Sequence, residues 1–278
     1  MSGRLYVVAT PIGNLEDLGL RALRVLKEVA VIACEDTRVS RKLLDHYGVG
    51  TSVTSLHAHS AAEAIERLLD RVERGEDAAL ISDAGTPLVS DPGEALIAGA
   101  IARGLEVVPI PGPSALLAAL VAGGVSCSRF VFLGFLPRDD AERRELLAPY
   151  RALGVALVIY ESPHRVGETL ASLARTFGDR RAVVARELTK RFESFDRDRL
   201  EALAARYRQE EPRGEVVIVV GPSEDGPTPR RDADVDEEIR RLLEAGTSPA
   251  DAARLVAGAF GLARKEAYRR VLEVKKGR

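Results

Sequence analysis

Residues 80–93 read LISDAGTPLVSDPG, an apolar run that gives way to a loop of Asp, Gly, Thr, Pro and Ser. Small residues in such a loop let backbone amides approach a ligand closely, and a carboxylate such as Asp83 can accept hydrogen bonds from hydroxyl groups. Three further segments have the same form: ATPIGN at 9–14, PGPSA at 111–115 and YESPHR at 160–165. One Pro-Gly loop by itself reads as a turn. Four of them at the ends of apolar runs point to a common cleft, because ligands of open α/β sheets bind outside the carboxyl ends of the strands. Neither GxxxxGK[ST] nor GxGxxG occurs, so a P-loop and an ordinary dinucleotide fingerprint are excluded. Cys34 and Cys127 lie far apart without CxxC or Cys/His ligand spacing. They read as small hydrophobes, and neither a disulfide nor a metal site is expected. His57 and His59 read as surface loop residues.

The elements that must hold these loops follow from periodicity. Apolar, β-rich runs at Leu5 to Ala9, Ala30 to Cys34, Ala79 to Ser82 and Leu105 to Ile110 alternate with helical patterns, which predicts an α/β architecture. One helix is marked by a Ser60/Glu63 capping box ahead of Ile65, Leu68, Leu69 and Val72. A second set of strands is expected at Phe130 to Leu136, Val155 to Tyr160, Ala182 to Ala185 and Val216 to Val220. The boundaries follow: a first α/β domain over 1–115, a second over 116–222, a linker over 223–234 and a helical piece over 235–278. In that last piece Ile239 to Leu243 form one helical pattern. Ser248 caps a helix with Pro249 in its first turn, running to Phe260 and ended by Gly261. A third pattern, Arg264 to Val274, has Ala267, Tyr268, Val271 and Leu272 on one side. Helix, turn, basic helix suggests either a helix-turn-helix-like module or a packing appendage.

With 278 residues, 46% of them hydrophobic, the chain can bury a sizeable core. No run approaches the roughly 20 apolar residues needed to span a bilayer, and the opening residues read as a first strand, so a cytoplasmic protein is expected. A net charge of -2 gives no global field for nucleic acid. Contact with RNA would need local basic patches: Arg138, Arg143 and Arg144; Lys190, Arg191, Arg197 and Arg199; and the basic residues of 264–276.

Taken in order, VVATPIGNLEDL, EDTR at 35–38, SDAGTPLVSDPG, PGPSA, YESPHR, RELTK at 186–190 and RGE at 213–215 resemble the motifs of the ribosomal RNA small-subunit methyltransferase I family. The resemblance spans about residues 4 to 221, and the helical module is similar to that family's extension. It implies a two-domain tetrapyrrole methylase-like fold with S-adenosyl-L-methionine held between the domains. It also implies a homodimer, and 2'-O-methylation of cytidine 1402 in the decoding region of 16S rRNA within the small ribosomal subunit.

By the same resemblance Pro11, Asp83, Gly85, Thr86, Ser114 and Ala115 would contact the cofactor, with Leu188 and Gly214 from the second domain. The proton acceptor is left open among Glu161, Lys190 and His164, with Glu187 and Glu193 in the same loops. Arg38, Arg165 and Arg186 would fix phosphates of the substrate. As a base Lys190 would need a lowered pKa, and a phosphate contact is its simpler role; His164 could titrate near neutrality or bond the backbone. Base stacking would fall to Tyr6, Phe135, Tyr160, Phe192 or Phe195, each equally suited to a core. One departure stands out: Arg197 and Asp198 occupy positions where a basic-glycine turn is expected. Two other functions fit these residues, a small-molecule methyltransferase acting on a tetrapyrrole and a non-catalytic RNA-binding sensor of S-adenosylmethionine.

Overall fold

The computed structural model describes residues 2–56, 62–151, 153–223, 232–260 and 262–276. Its first sheet is built from β1 (Arg4–Val8), β2 (Val31–Cys34), β3 (Val53–Ser55), β4 (Ala78–Ile81) and β5 (Glu106–Ile110), all parallel, in the order β3-β2-β4-β1-β5. β2 and β4 read VIAC and AALI, and every residue in them is buried. Unbroken apolar strands are what a parallel sheet covered on both faces requires. Helices α1 (Leu20–Glu28) and α2 (Thr37–His46) cover one face. Helices α3 (Ala62–Glu73) and α4 (Glu94–Ala102) cover the other. The chain leaves β1 toward β2 on one side and β4 toward β5 on the other. The strand order therefore reverses around β1 and β4, and a crevice opens above their carboxyl ends.

The second sheet, in the order β6-β7-β10-β8-β9, is mixed. Its strands are β6 (Phe130–Phe135), β7 (Ala156–Glu161), β8 (Arg181–Arg186), β9 (Ser194–Arg199) and β10 (Val216–Val220). β6 and β7 pair in parallel, whereas β10 runs antiparallel to both β7 and β8, and β9 antiparallel to β8. One face carries α7 (Val166–Phe177) and α8 (Leu200–Gln209) over Leu157, Ile159, Val184 and Ile218. The opposite face receives α5 (Ala115–Gly123), whose Ala119 and Leu120 pack on Val158, Val183, Val217 and Val219. Helix α6 (Asp140–Leu147) packs beside α7. Both sheets lie in one compact unit, residues 1–151 and 155–222.

Residues 152–154 and 223–278 form a second unit. Its helices α9 (Asp232–Glu244), α10 (Pro249–Phe260) and α11 (Arg264–Lys276) enclose a core of Val235, Ile239, Ala252, Val256, Ala267 and Val271. The Asp251 amide donates to Ser248 Oγ, as the cap predicts.

Several expectations change. The stretch assigned as a linker is helical from Asp232, because Val235 and Ile239 share one helical face with a common core. Tyr268 and Leu272 do not join Ala267 and Val271 inside; they are exposed. Arg143 is no part of a basic surface: it is fully buried, with its guanidinium on Asp140 and Glu168 at 3.0 and 2.7 Å. Arg197 stays exposed but is tied back to the protein, donating to the Ala122 and Gly123 carbonyls at 2.7 and 3.1 Å, where it closes the carboxyl end of α5. That capping role occupies the position where a basic-glycine turn was expected. The polar strand β9 and the short β3 carry no apolar run. His57, His59, Ser60 and Gly261 lie outside the described residues.

Candidate functional site

Three loops leave the carboxyl ends of β1, β4 and β5 and are stitched together by the backbone. Thr10 N donates to Gly85 O at 2.8 Å, and Gly85 N donates back to Thr10 O at 3.0 Å. Thr86 Oγ1 donates to the Pro113 carbonyl at 3.0 Å. Gly85 has φ +87°, a conformation that favours glycine. The second half contributes the end of β7 and the segment entering β10. Among the described residues these parts surround a cavity of about 370 Å³, within the range of small-ligand sites.

Ile12, Val89, Val216 and Val217 give the cavity an apolar lining. Small residues, Ala84, Gly85, Ser114, Ala115 and Gly214, also line it, and polar groups come from Thr86, Ser90, Asp91, Tyr160, Glu161 and Glu215. All four strand-end loops singled out in the sequence therefore reach it. Of the residues that the resemblance assigned to a cofactor, Gly85, Thr86, Ser114, Ala115 and Gly214 line the wall. Pro11, Asp83 and Leu188 do not. Asp83 Oδ1 instead accepts the Asp36 amide at 3.1 Å. Leu188 is buried with Ile12 against the second sheet.

The proposed acceptors fare differently. Glu161 lies on the wall, but its carboxylate is fully engaged: it accepts from Thr169 Oγ1 at 2.6 Å and from Ser162 N at 2.7 Å, with Arg165 Nε at 3.5 Å. Lys190 donates to Glu187 and Glu215 at 3.0 and 3.2 Å. Burial pulls its pKa down, but those two carboxylates outweigh it and the net shift is upward, opposite to what a base requires. His164 is 81% exposed, pairs with Glu211 and lies off the wall. Glu193 accepts the Thr189 amide at 2.7 Å.

The three arginines are also committed within the protein. Arg38 lies over its own neighbour Asp36 and holds that carboxyl down at about 2. Arg165 donates to the Leu136 and Pro137 carbonyls at 2.8 and 3.1 Å. Arg186 bonds Ser194 Oγ at 3.1 Å. None of the three lines the cavity.

Sequence reasoning missed Asp91. Burial, then the nearby Glu35 carboxylate, push it up to about 6 despite a hydrogen bond from Ser82. The only sequence trace is the second Asp of SDAGTPLVSDPG. Of the stacking candidates, Phe135 and Tyr160 reach the wall, their ring centroids 5.8 Å apart. The Tyr160 hydroxyl accepts the Leu116 amide at 3.2 Å. Tyr6 is core, while Phe192 stands 74% exposed.

A parallel sheet whose strand-end loops roof a cavity against a second, mixed sheet defines a class, and the comparisons name it. Residues 4–204 match the Tetrapyrrole (Corrin/Porphyrin) Methylases family, and residues 230–275 match the RsmI C-terminal HTH domain. Among solved structures, cobalt precorrin-4 methyltransferase aligns at TM-score 0.60 and 18% identity over 78% of this chain and 94% of its own. Uroporphyrin-III C-methyltransferase from Thermus thermophilus, complexed with S-adenosyl homocysteine, aligns at TM-score 0.56 and 22% identity over 79% and 97%. Those likenesses carry the fold. The chain belongs to the ribosomal RNA small subunit methyltransferase I family: it is 47% identical to the member from Mesorhizobium japonicum over 98% of this chain and 92% of that one. It is also 44% identical to the member from Pseudomonas aeruginosa over 98% of both.

Proposed function

We propose that this protein methylates the ribose 2'-oxygen of a decoding-region cytidine in small-subunit ribosomal RNA, using S-adenosylmethionine. The observation that carries this reading is the cavity at the strand ends, in a chain whose near-full-length relatives are named ribosomal RNA small subunit methyltransferase I. The wall suits the cofactor. Ile12, Val89, Val216 and Val217 offer an apolar bed for a flat base, and Gly85, Ser114, Ala115 and Gly214 leave room for close backbone approach. Bound there, the cofactor supplies an electrophilic methyl group.

The chain's own residues then have three tasks. The loops at 84–86 and 114–115, with Thr86, would hold the cofactor. Glu161, tied to Ser162, Thr169 and Arg165, rigidifies the loop that faces them. The apolar lining of Ile12, Val89, Val216 and Val217 would help exclude water, so that the hydroxyl rather than solvent meets the methyl. RNA contact falls to local basic residues, including Arg264, Lys265 and Arg269 on α11, all exposed. The exposed Leu117 and Val121 of α5 leave an apolar face consistent with a homodimer, which size-exclusion chromatography with light scattering would test.

The deciding experiment is methyl incorporation from labelled S-adenosylmethionine into purified small subunits lacking the modification, followed by mapping. Label on one ribose 2'-oxygen of the decoding region is expected, with poor transfer to naked RNA. Cofactor binding without incorporation would point instead to a small-molecule substrate or a sensor.

A further inference from the structure

Four titratable side chains stand on the cavity wall: Asp91, Tyr160, Glu161 and Glu215. Three have other commitments. Glu161 is saturated by Thr169, Ser162 and Arg165. Glu215 is paired with Lys190 and 70% exposed. Burial pushes the Tyr160 phenol above its ordinary range, so near neutrality it keeps its proton and cannot take another's.

Asp91 is different. Among the described residues no lysine, arginine or histidine pairs with it. The charged groups that face it are all acidic, Glu35 from the β2–α2 turn and Asp83 from its own loop, and Tyr160 faces it across the cavity from β7. Its position is fixed by unusual backbone. Leu88 and Ser90 sit at φ +73° and +71°, although neither is glycine. Gly93, at φ +130°, leaves no room for a Cβ, which would lie 2.8 Å from Leu80 Cδ2. Strain of this kind persists where the surrounding structure enforces it, and it clusters at working sites.

We propose that Asp91 is the catalytic base: its carboxylate accepts the proton of the substrate hydroxyl as that oxygen is methylated. This rests on the methyl-transfer reading above. In the step, a bond forms between the hydroxyl oxygen and the methyl carbon while the carbon–sulfur bond breaks. The electron pair of the broken bond stays on sulfur, leaving a neutral thioether. The hydroxyl proton passes to Asp91, which later releases it to water. A carboxylate pushed up to about 6 remains ionised at neutral pH and is a stronger acceptor than an ordinary aspartate.

The test uses the full chain, small ribosomal subunits from cells lacking the modification, and the variants Asp91→Asn and Asp91→Glu. Single-turnover methyl transfer is followed from pH 5 to 8, S-adenosylmethionine binding is titrated by calorimetry, and folding is checked by circular dichroism. Asp91→Asn is expected to slow transfer about 10²–10⁴-fold, with cofactor affinity unchanged within about threefold and the fall in rate below pH 6 abolished. Asp91→Glu, which keeps the carboxylate, should recover part of the rate and keep an acid limb. The proposal is overturned if folded Asp91→Asn transfers methyl within tenfold of the parent, if its acid limb persists, or if cofactor affinity falls as far as the rate. Failure of the parent chain to methylate any subunit RNA would remove the methyl-transfer reading, and the base with it. An active parent with an equally active variant would remove the base alone.

Discussion

The loop of residues 82–93 in the first half and that of residues 186–190 in the second are built alike and finished differently. Each holds two non-glycine residues at positive φ: Leu88 and Ser90 in one, Glu187 and Thr189 in the other. In the second loop Glu187 and Lys190 answer each other. Lys190 sits between Glu187 and Glu215, and Glu187 also takes the Glu215 amide, which holds its carboxyl below the usual range. In the first loop Asp91 faces other carboxylates and, among the described residues, no cation. Compensated charge beside strain makes a wall; uncompensated charge beside strain leaves a group whose proton can move.

Breaking the compensated side should cost the most stability. Glu161→Ala leaves the buried Thr169 hydroxyl without its acceptor and strips the carboxylate from beside the Arg165 guanidinium, so it should lower unfolding free energy by about 3–5 kcal/mol, read by urea denaturation. Gly214→Ala comes next. Gly214 is at φ +82° and an added Cβ would overlap the Glu187 carboxylate, so a loss of about 2–3 kcal/mol is expected, with weaker cofactor binding by calorimetry. The uncompensated side should behave oppositely. Because the folded pKa of Asp91 lies above the unfolded one, its ionisation opposes folding as pH rises from about 4 to about 6. Asp91→Asn should therefore stabilise the protein at pH 7 by about 1–2 kcal/mol, and the gain should vanish near pH 4. An equal gain at both pH values would show that Asp91 is not held above its ordinary range. Smallest of all, His164→Ala should change stability by less than about 0.5 kcal/mol, since both members of its pair with Glu211 are exposed, and should leave the methyl-transfer rate unaltered.

Much of this organisation was legible in residue order. Apolar runs mark β1, β2, β4 and β10 because those strands are largely buried, and β5, EVVPI, stays apolar though it is only partly buried at the sheet edge; the Pro-containing loops after β1, β4 and β5 mark the cavity. β9, SFDRDR, escaped because an edge strand has one side free to carry arginines and aspartates. The site divided along the same line. Gly85, Ser114 and Gly214 were placed by the resemblance to the family's motifs, and their small side chains suit a wall where backbone comes close. Glu161 and Lys190 stand in the right loops, yet what each is bonded to, Thr169 or Glu215, is a tertiary fact. Asp91 depends on Glu35, 56 positions earlier in the chain, and on burial that no local pattern reports.

The turn after β1 also has a consequence for how the protein is made. Asn14 N bonds Thr189 Oγ1, 175 residues later; Gly13 lies so close to that loop that a Cβ would be 2.8 Å from the same oxygen; and Ile12 packs on the second sheet. At about 5–20 residues per second, the nascent chain displays this turn for roughly 9–35 seconds before its partner is synthesised. The first sheet can form in that interval, but its cavity stays open on one side. The cavity is therefore completed late, when nearly the whole double-sheet unit exists, and a fragment that stalls earlier carries only the first half of its wall.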